Sequence, residues 1–103
     1  MPERPEIVCI CGSMRFVEDM RVVSQGLSLA GCIVLMPTEI DGPITEEQKT
    51  ALGELHLRRI DLADRVVVVN RGEHFGESTL REIAYAEAAG KPGTFVGVAW
   101  GSQ

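Results

Sequence analysis

Four short apolar runs, rich in β-branched residues and separated by segments of helical periodicity, constrain this chain more than any other feature. Residues 6–11 (EIVCIC) stop at Gly12, and residues 32–36 (CIVLM) stop at Pro37. Residues 66–69 are consecutive valines, and residues 94–99 (TFVGVA) form the last run. Between the first two runs, Phe16, Met20, Val23 and Leu27 recur at helical steps, and Gly31 follows as a helix stop. Thr45 and Gln48 fit a capping box that opens a second helix to about Ala63. Leu80, Ile83, Ala84 and Ala88 predict a third helix, closed by Gly90 and Pro92. Nearly continuous apolar strands suit a parallel sheet covered on both faces, and the alternation implies right-handed crossovers.

The expectation is an α/β fold, a three-layer flavodoxin-like or Rossmann-like parallel sheet of about four strands in the order 2-1-3-4. Its 103 residues make one domain, residues 1–103, large enough to bury a core without disulfides. In such a sheet ligands bind where the strand order reverses, beyond the carboxyl ends of the first and third strands. That rule selects two loops, residues 12–15 and 70–79.

Charge narrows the partners. The formal net charge of −5 and a pI near 4.9 exclude a nonspecific nucleic-acid binder, which needs many basic residues to displace counterions. No apolar run reaches the roughly 18–20 residues of a membrane span, so no membrane partner is expected. Residues 1–6 are polar and start no export signal, which makes a cytoplasmic location the default. Cys9, Cys11 and Cys32 lie in apolar runs and read as buried, reduced thiols. Cys9 and Cys11 share one strand face, but their spacing is not that of a zinc knuckle, and no metal or redox cofactor is implied.

The first loop reads CGSMR. A strand, then Gly-Ser, then a helix start presents backbone N–H groups and a positive dipole end to an anion such as phosphate. Gly12 permits close approach, Ser13 adds a hydroxyl and Arg15 can pair bidentately. The plainer alternative has Gly12 making the turn, Ser13 capping the helix and Arg15 facing water. In the second loop Gly76, Ser78 and Thr79 again precede a helix, and Ser78 and Glu82 share a helical face at the cleft mouth. A carboxylate there can attack an electrophilic carbon or activate water. Thr79 and Glu82 equally fit a capping box, in which Glu82 only bonds the backbone.

Other polar residues carry weaker signals. Asp61 and Asp64 close the second helix against its dipole, with Asp64 at the end of its strand far from the cleft. His56, Arg58 and Arg59 read as a solvated basic patch or a phosphate or subunit contact. His74 can shuttle protons, and Tyr85 and Trp100 read as packing or interface residues.

The segment DLADRVVVVNRGEHFGESTLREIAYAEAAGKP resembles the signature of the nucleoside 2-deoxyribosyltransferase-like superfamily: acidic helix end, apolar strand, loop, D-x-G-T-x-x-E-[IL]-G-x-A and Gly-Lys-Pro. The opening ICGSMRF is similar to the CGS-x-R start of its 2-deoxynucleoside 5-phosphate N-hydrolase branch. The resemblance runs from about Ile7 to Pro92. It implies a flavodoxin-like fold and cleavage of the N-glycosidic bond of a nucleoside or nucleoside 5-monophosphate. It places the catalytic glutamate on Glu82, a helix-end aspartate on Asp64, and the Gly-Thr pair on Ser78 and Thr79. The sugar-phosphate loop falls on Gly12, Ser13 and Arg15. The aspartate six before the glutamate is replaced by Gly76, with Glu77 beside it. The first-loop tyrosine of active members is absent, and the usual fifth strand is not expected. A small subgroup with G-[YE]-x-G-E-S-T-x-x-E-I is similar in this region.

Two other readings stay open. The cytokinin-activating phosphoribohydrolases carry a GG-x-GT-x-x-E motif similar to GESTLRE, although their further arginine motif is missing here. A non-catalytic nucleotide sensor or an assembly module would use the fold only to bind. Leu52, Leu55, Leu57, Ile60 and Leu62 make the second helix apolar on more than one side, which predicts a homodimer or higher homo-oligomer.

Overall fold

Each of the four apolar runs forms a strand of one parallel sheet in the computed structural model, which describes residues 4–70 and 75–96. The elements alternate: β1 (Ile7–Cys11), α1 (Val17–Leu29), β2 (Ile33–Leu35), α2 (Glu46–Leu62), β3 (Arg65–Val69), α3 (Glu77–Ala88) and β4 (Gly93–Val96). A single 3-10 turn, Met14–Phe16, links β1 to α1. The order is β2-β1-β3-β4, as expected, with Cys9 opposite both Leu35 and Val66, and Val67 opposite Thr94. The expected reach of the last strand to residue 99 lies partly outside the described residues.

Alternation along β1 and β3 divides the core between the two faces of the sheet. Cys9, Cys11, Val66 and Val68 pack with Leu57, Ile60, Ala63 and Ala86 from α2 and α3. Val8, Ile10, Val67 and Val69 pack with Met20 of α1. Burying each of these larger side chains contributes about 1.5–3 kcal/mol, so β1 and β3 anchor the molecule. The α2 start follows its sequence signal. Thr45 Oγ1 accepts from Gln48 N at 3.0 Å, and Gln48 Oε1 accepts from Thr45 N at 2.9 Å.

Two sequence expectations shift and a third holds. Cys32 is only partly buried, because β2 is a sheet edge. On α3 the buried residues are Thr79 and Ala86 with Ile83 packed beside them, whereas Leu80 is 52% exposed. The inward stripe is therefore displaced by one residue from the predicted one. On α2, Leu57 and Ile60 are buried but Leu55 and Leu62 remain exposed.

Candidate active site

The carboxyl ends of β1 and β3 approach so closely that the residue after β1 must lack a side chain. Gly12 has φ +149°, and a Cβ built there would lie 2.6 Å from the Val69 carbonyl oxygen and 2.9 Å from Met20 Cε. Glycine is required here both for the turn and for the contact with β3. Ser13 then starts the 3-10 turn, its Oγ accepting from Arg15 N at 3.4 Å, and the Arg15 guanidinium lies over the Phe16 ring.

Facing this loop is the amino end of α3. Its cap is Gly76, which offers no side-chain hydrogen bond to the first helical N–H groups. Their positive dipole end is therefore open toward the cleft. Thr79 is the third helical residue and buried, so Thr79 and Glu82 do not form the capping box that their spacing allowed. The helix starts three residues earlier than that reading requires, which turns Glu82 inward.

Two adjoining hollows occupy the switch point. One, of about 230 Å³, is lined by Ser13, Arg15, Phe16, Phe75, Gly76 and Thr79, among others. The other, of about 680 Å³, shares Ser13, Gly76 and Thr79 with it and extends past Gly12, Ser78 and Glu82 to His56, Arg59 and Lys49. Gly12, Ser13, Arg15, Gly76, Ser78, Thr79 and Glu82 thus come together in one cleft. Asp64 does not. Its carboxylate accepts two 2.7 Å hydrogen bonds from Arg4 and one of 2.8 Å from Ile7 N, at the amino end of the sheet. The Arg4 guanidinium and the Ile7 N–H hold its carboxyl well below the usual range. The structure gives Asp64 a tying role between the start of β1 and the start of β3, on the side opposite the cleft.

Glu82 stands at the floor. Its Oε1 is buried and has no hydrogen-bond partner among the described residues. Burial pushes the carboxyl's pKa up, and the His56 charge, the Cys11 thiol and Arg81 pull it back, with Cys9 acting on the side of burial.

Beneath Glu82 lies a cluster that sequence reasoning missed. His56 is not part of a solvated patch; it is 3% exposed. Its Nε2 is 3.6 Å from Cys9 Sγ and 3.5 Å from Cys11 Sγ, and its Nδ1 is 3.2 Å from Arg59 NH1. Arg59 is held in turn by Thr38 Oγ1 at 2.5 Å. Arg58, by contrast, is a surface residue paired with Asp61 and with the Tyr85 hydroxyl. One signal was available: His56 stands between Leu52 and Ile60 at four-residue steps, the spacing of an inward helical stripe. Hydrogen bonding from Cys11 and His56 lowers the Cys9 thiol to about 6, whereas Cys9 itself, burial and the nearby Glu82 push Cys11 far above the thiol range. Burial and the Arg59 guanidinium oppose a charge on His56, but the Cys9 sulfur and the Glu82 carboxyl favour it, and the balance lies above the ordinary histidine value.

Cys9, Cys11 and His56 offer ligand atoms within 4.8 Å of one another, a grouping the chain spacing did not reveal. Arg59 decides against reading it as a metal centre. A guanidinium only donates, so Nδ1 is the acceptor and Nε2 carries the proton facing the sulfurs. A ligating imidazole needs the reverse, a bare Nε2 and a second-shell acceptor at Nδ1. Of the remaining residues singled out in the sequence, His74 and Trp100 lie outside the described residues.

No protein-family model matches the chain, and no curated protein matches it in sequence. Solved structures do match. A 2-deoxyribosyltransferase from Bacillus psychrosaccharolyticus superposes with TM-score 0.73 at 17% identity, over 88% of this chain and 72% of that one. A 2-deoxyribosyltransferase from Leishmania mexicana gives 0.65 at 19% identity, over 90% and 65%. A conserved protein from Enterococcus faecalis gives 0.65 at 16%, over 88% and 62%. The chain has the fold of these proteins and spans about two thirds of their length.

Proposed function

We propose that the chain cleaves the N-glycosidic bond of a nucleoside or nucleoside 5-monophosphate, with Glu82 as the reacting carboxylate. The carrying observation is the buried, unpartnered Glu82 Oε1 at the floor of a switch-point cleft. An orphaned acceptor of this kind costs roughly 1–3 kcal/mol, a cost that a reacting group repays when substrate arrives. The fold shared with two 2-deoxyribosyltransferases supports the same chemistry.

The phosphate or sugar end docks on Gly12, Ser13 and Arg15 beside the uncapped amino end of α3, where Ser78 and Thr79 stand. Glu82 approaches the anomeric carbon as the bond to the base breaks and its electron pair leaves with the base. The carboxylate either forms a glycosyl ester or stabilises an oxocarbenium-like state. Water then gives hydrolysis, and a second base gives transfer. A nucleophile must be ionised; burial on balance raises the Glu82 pKa, and His56, Cys11 and Arg81 work against that rise.

Among the described residues no helix is long and apolar enough to cross a membrane. A cytoplasmic protein is part of this reading. Exposed Leu55 and Leu62 on α2 support self-association through that helix.

Base release, followed by chromatography over a panel of ribo- and deoxyribonucleosides and their monophosphates, tests the proposal. Wild type is expected to release base from at least one member and Glu82→Ala from none. No release by folded wild type would overturn it in favour of a nucleotide sensor or an assembly module.

A further inference from the structure

We propose that Arg59 is the base-recognition residue of this site, and that the base it takes carries an exocyclic oxygen: a 6-oxopurine or a 4-oxopyrimidine, in preference to its amino-substituted counterpart. The inference rests on the reading of the cleft as an N-glycosidase site and names the substrate class which that reading leaves open.

Arg59 carries a charge without a counter-charge. In this acidic chain Arg4, Arg21, Arg58, Arg65 and Arg81 each hold a carboxylate, and Lys91 Nζ is taken by the Asp61 and Ala63 carbonyls. Arg59 is half-buried, yet it forms no ion pair among the described residues. Its two partners carry no negative charge: NH1 donates to His56 Nδ1 at 3.2 Å and NH2 to Thr38 Oγ1 at 2.5 Å. These bonds aim the guanidinium and use only two of its N–H groups, of which a guanidinium has about five. A cation drawn partly out of water and left unpaired is costly, so the arrangement favours an acceptor arriving from the larger hollow, which Arg59 lines.

The other charged groups bordering that hollow do not fill this place. Glu39 is held by Arg21, and Asp41, Glu77 and Glu82 form no ion pair with Arg59. Lys49, a second cation there, stands ten residues earlier on α2. At about 1.5 Å per residue that is roughly 15 Å away, too far to share one ligand atom. The ligand end that meets Arg59 therefore meets one fork of donors.

With the sugar end on the first loop and Glu82 at the floor, the base is left with the wall made by α2. Leu52, Gly53, His56 and Arg59 follow one another along one face of that helix and line the hollow. The His56 nitrogens are already engaged by Arg59 and the two sulfurs, which leaves Arg59 as the polar group that can read a base. A guanidinium discriminates because it cannot accept. An oxo group opposite it takes a charge-assisted hydrogen bond, whereas an amino group in the same position sets donor against donor. The same contact serves the cleavage. As the glycosidic C–N bond breaks, its electron pair passes to the base, and the negative charge spreads to the exocyclic oxygen beside the guanidinium. The released base anion then takes a proton from water.

Binding, which needs no turnover, tests the proposal. Two matched pairs of nucleoside 5-monophosphates, inosine against adenosine and uridine against cytidine, differ by an oxo or an amino group on the ring. Each is titrated into the protein by calorimetry, with Glu82→Gln as the background for any ligand that wild type turns over. The oxo member of at least one pair is expected to bind about tenfold tighter, the size of one hydrogen bond to a charged group. Arg59→Ala is expected to bring that pair level. Thr38→Val keeps the guanidinium but removes a contact that aims it, and is expected to shrink the preference. Equal binding within both pairs, no binding of either oxo nucleotide at millimolar concentration, or a loss in Arg59→Ala that is the same for both members would each overturn the proposal. Should Arg59→Ala not fold, Thr38→Val, a change at an exposed residue, decides: an unchanged preference sinks the assignment. An oxo preference without base release refutes the reading of Glu82 and leaves Arg59 its role, and base release without an oxo preference does the reverse.

Discussion

Cys11 and His56 stand 45 residues apart in the chain and 3.5 Å apart in the fold. Their contact joins the central strand to the second helix directly beneath Glu82. The cleft floor is therefore built by the packing of β1 against α2 and α3.

Glu82→Gln is expected to make the protein more stable at neutral pH. The folded carboxyl titrates above its ordinary value because it is buried. Stability thus falls as pH rises from the unfolded value, near 4.3, through the folded one, and stays lower beyond it. A neutral amide removes that loss. Urea denaturation at pH 7 and pH 4 checks this, with the gain over wild type expected at pH 7 and diminished at pH 4.

Asp64→Asn is expected to destabilise the fold at neutral pH, since Arg4 and Ile7 N lose a charged acceptor. The sign with pH is opposite to that of Glu82. The Asp64 pKa is lowered in the folded state, so its contribution is present above the unfolded value near 3.9 and disappears as pH falls below it. Wild type and variant should converge in acid. Any loss of base release by this variant should track its loss of folded protein, measured by circular dichroism in the same samples.

Gly12→Ala brings a Cβ within 2.6 Å of a β3 carbonyl while holding the residue at φ +149°. Backbone strain and overpacking together are expected to cost about 3 kcal/mol. The denaturation midpoint should drop with an unchanged slope, and nucleotide binding should weaken, because the loop carrying Ser13 and Arg15 must move away from β3.

Thr45→Ala removes one half of the reciprocal cap at the start of α2. About 1 kcal/mol of stability should be lost. His56 and Arg59 lie in the other half of that helix, so base release by the folded protein should be unaffected by the change.

The strand pattern was legible because buried parallel strands write themselves as unbroken β-branched runs, and the order 2-1-3-4 was expected as the flavodoxin-like arrangement that the alternation with helices allows. Glu82 was legible as a candidate, yet its capping alternative was equally so. Only the actual helix start at Gly76 separates them, and a glycine cap leaves no side-chain signal. His56 was misread for another reason. Beside Arg58 and Arg59 it looks like part of a charged surface, and its burial depends on thiols contributed by β1. Such long-range partners leave no mark in local periodicity. Asp64 shows the converse: its signature position was recognisable, but the geometry ties it to the amino end of the sheet.

The central position of β1 also has a consequence for synthesis. Its neighbours on both sides come later in the chain: Ile7 must wait for Asp64, 57 residues downstream, before the β1–β3 seam can begin. At roughly 5–20 residues per second, a ribosome leaves the apolar strand IVCIC unpaired for several seconds. No local hairpin can shelter it, because every ladder in this sheet is parallel and spans a helix. The nascent chain is most vulnerable to aggregation in that interval, while the strand that later carries the thiols under the cleft still lacks its β3 partner.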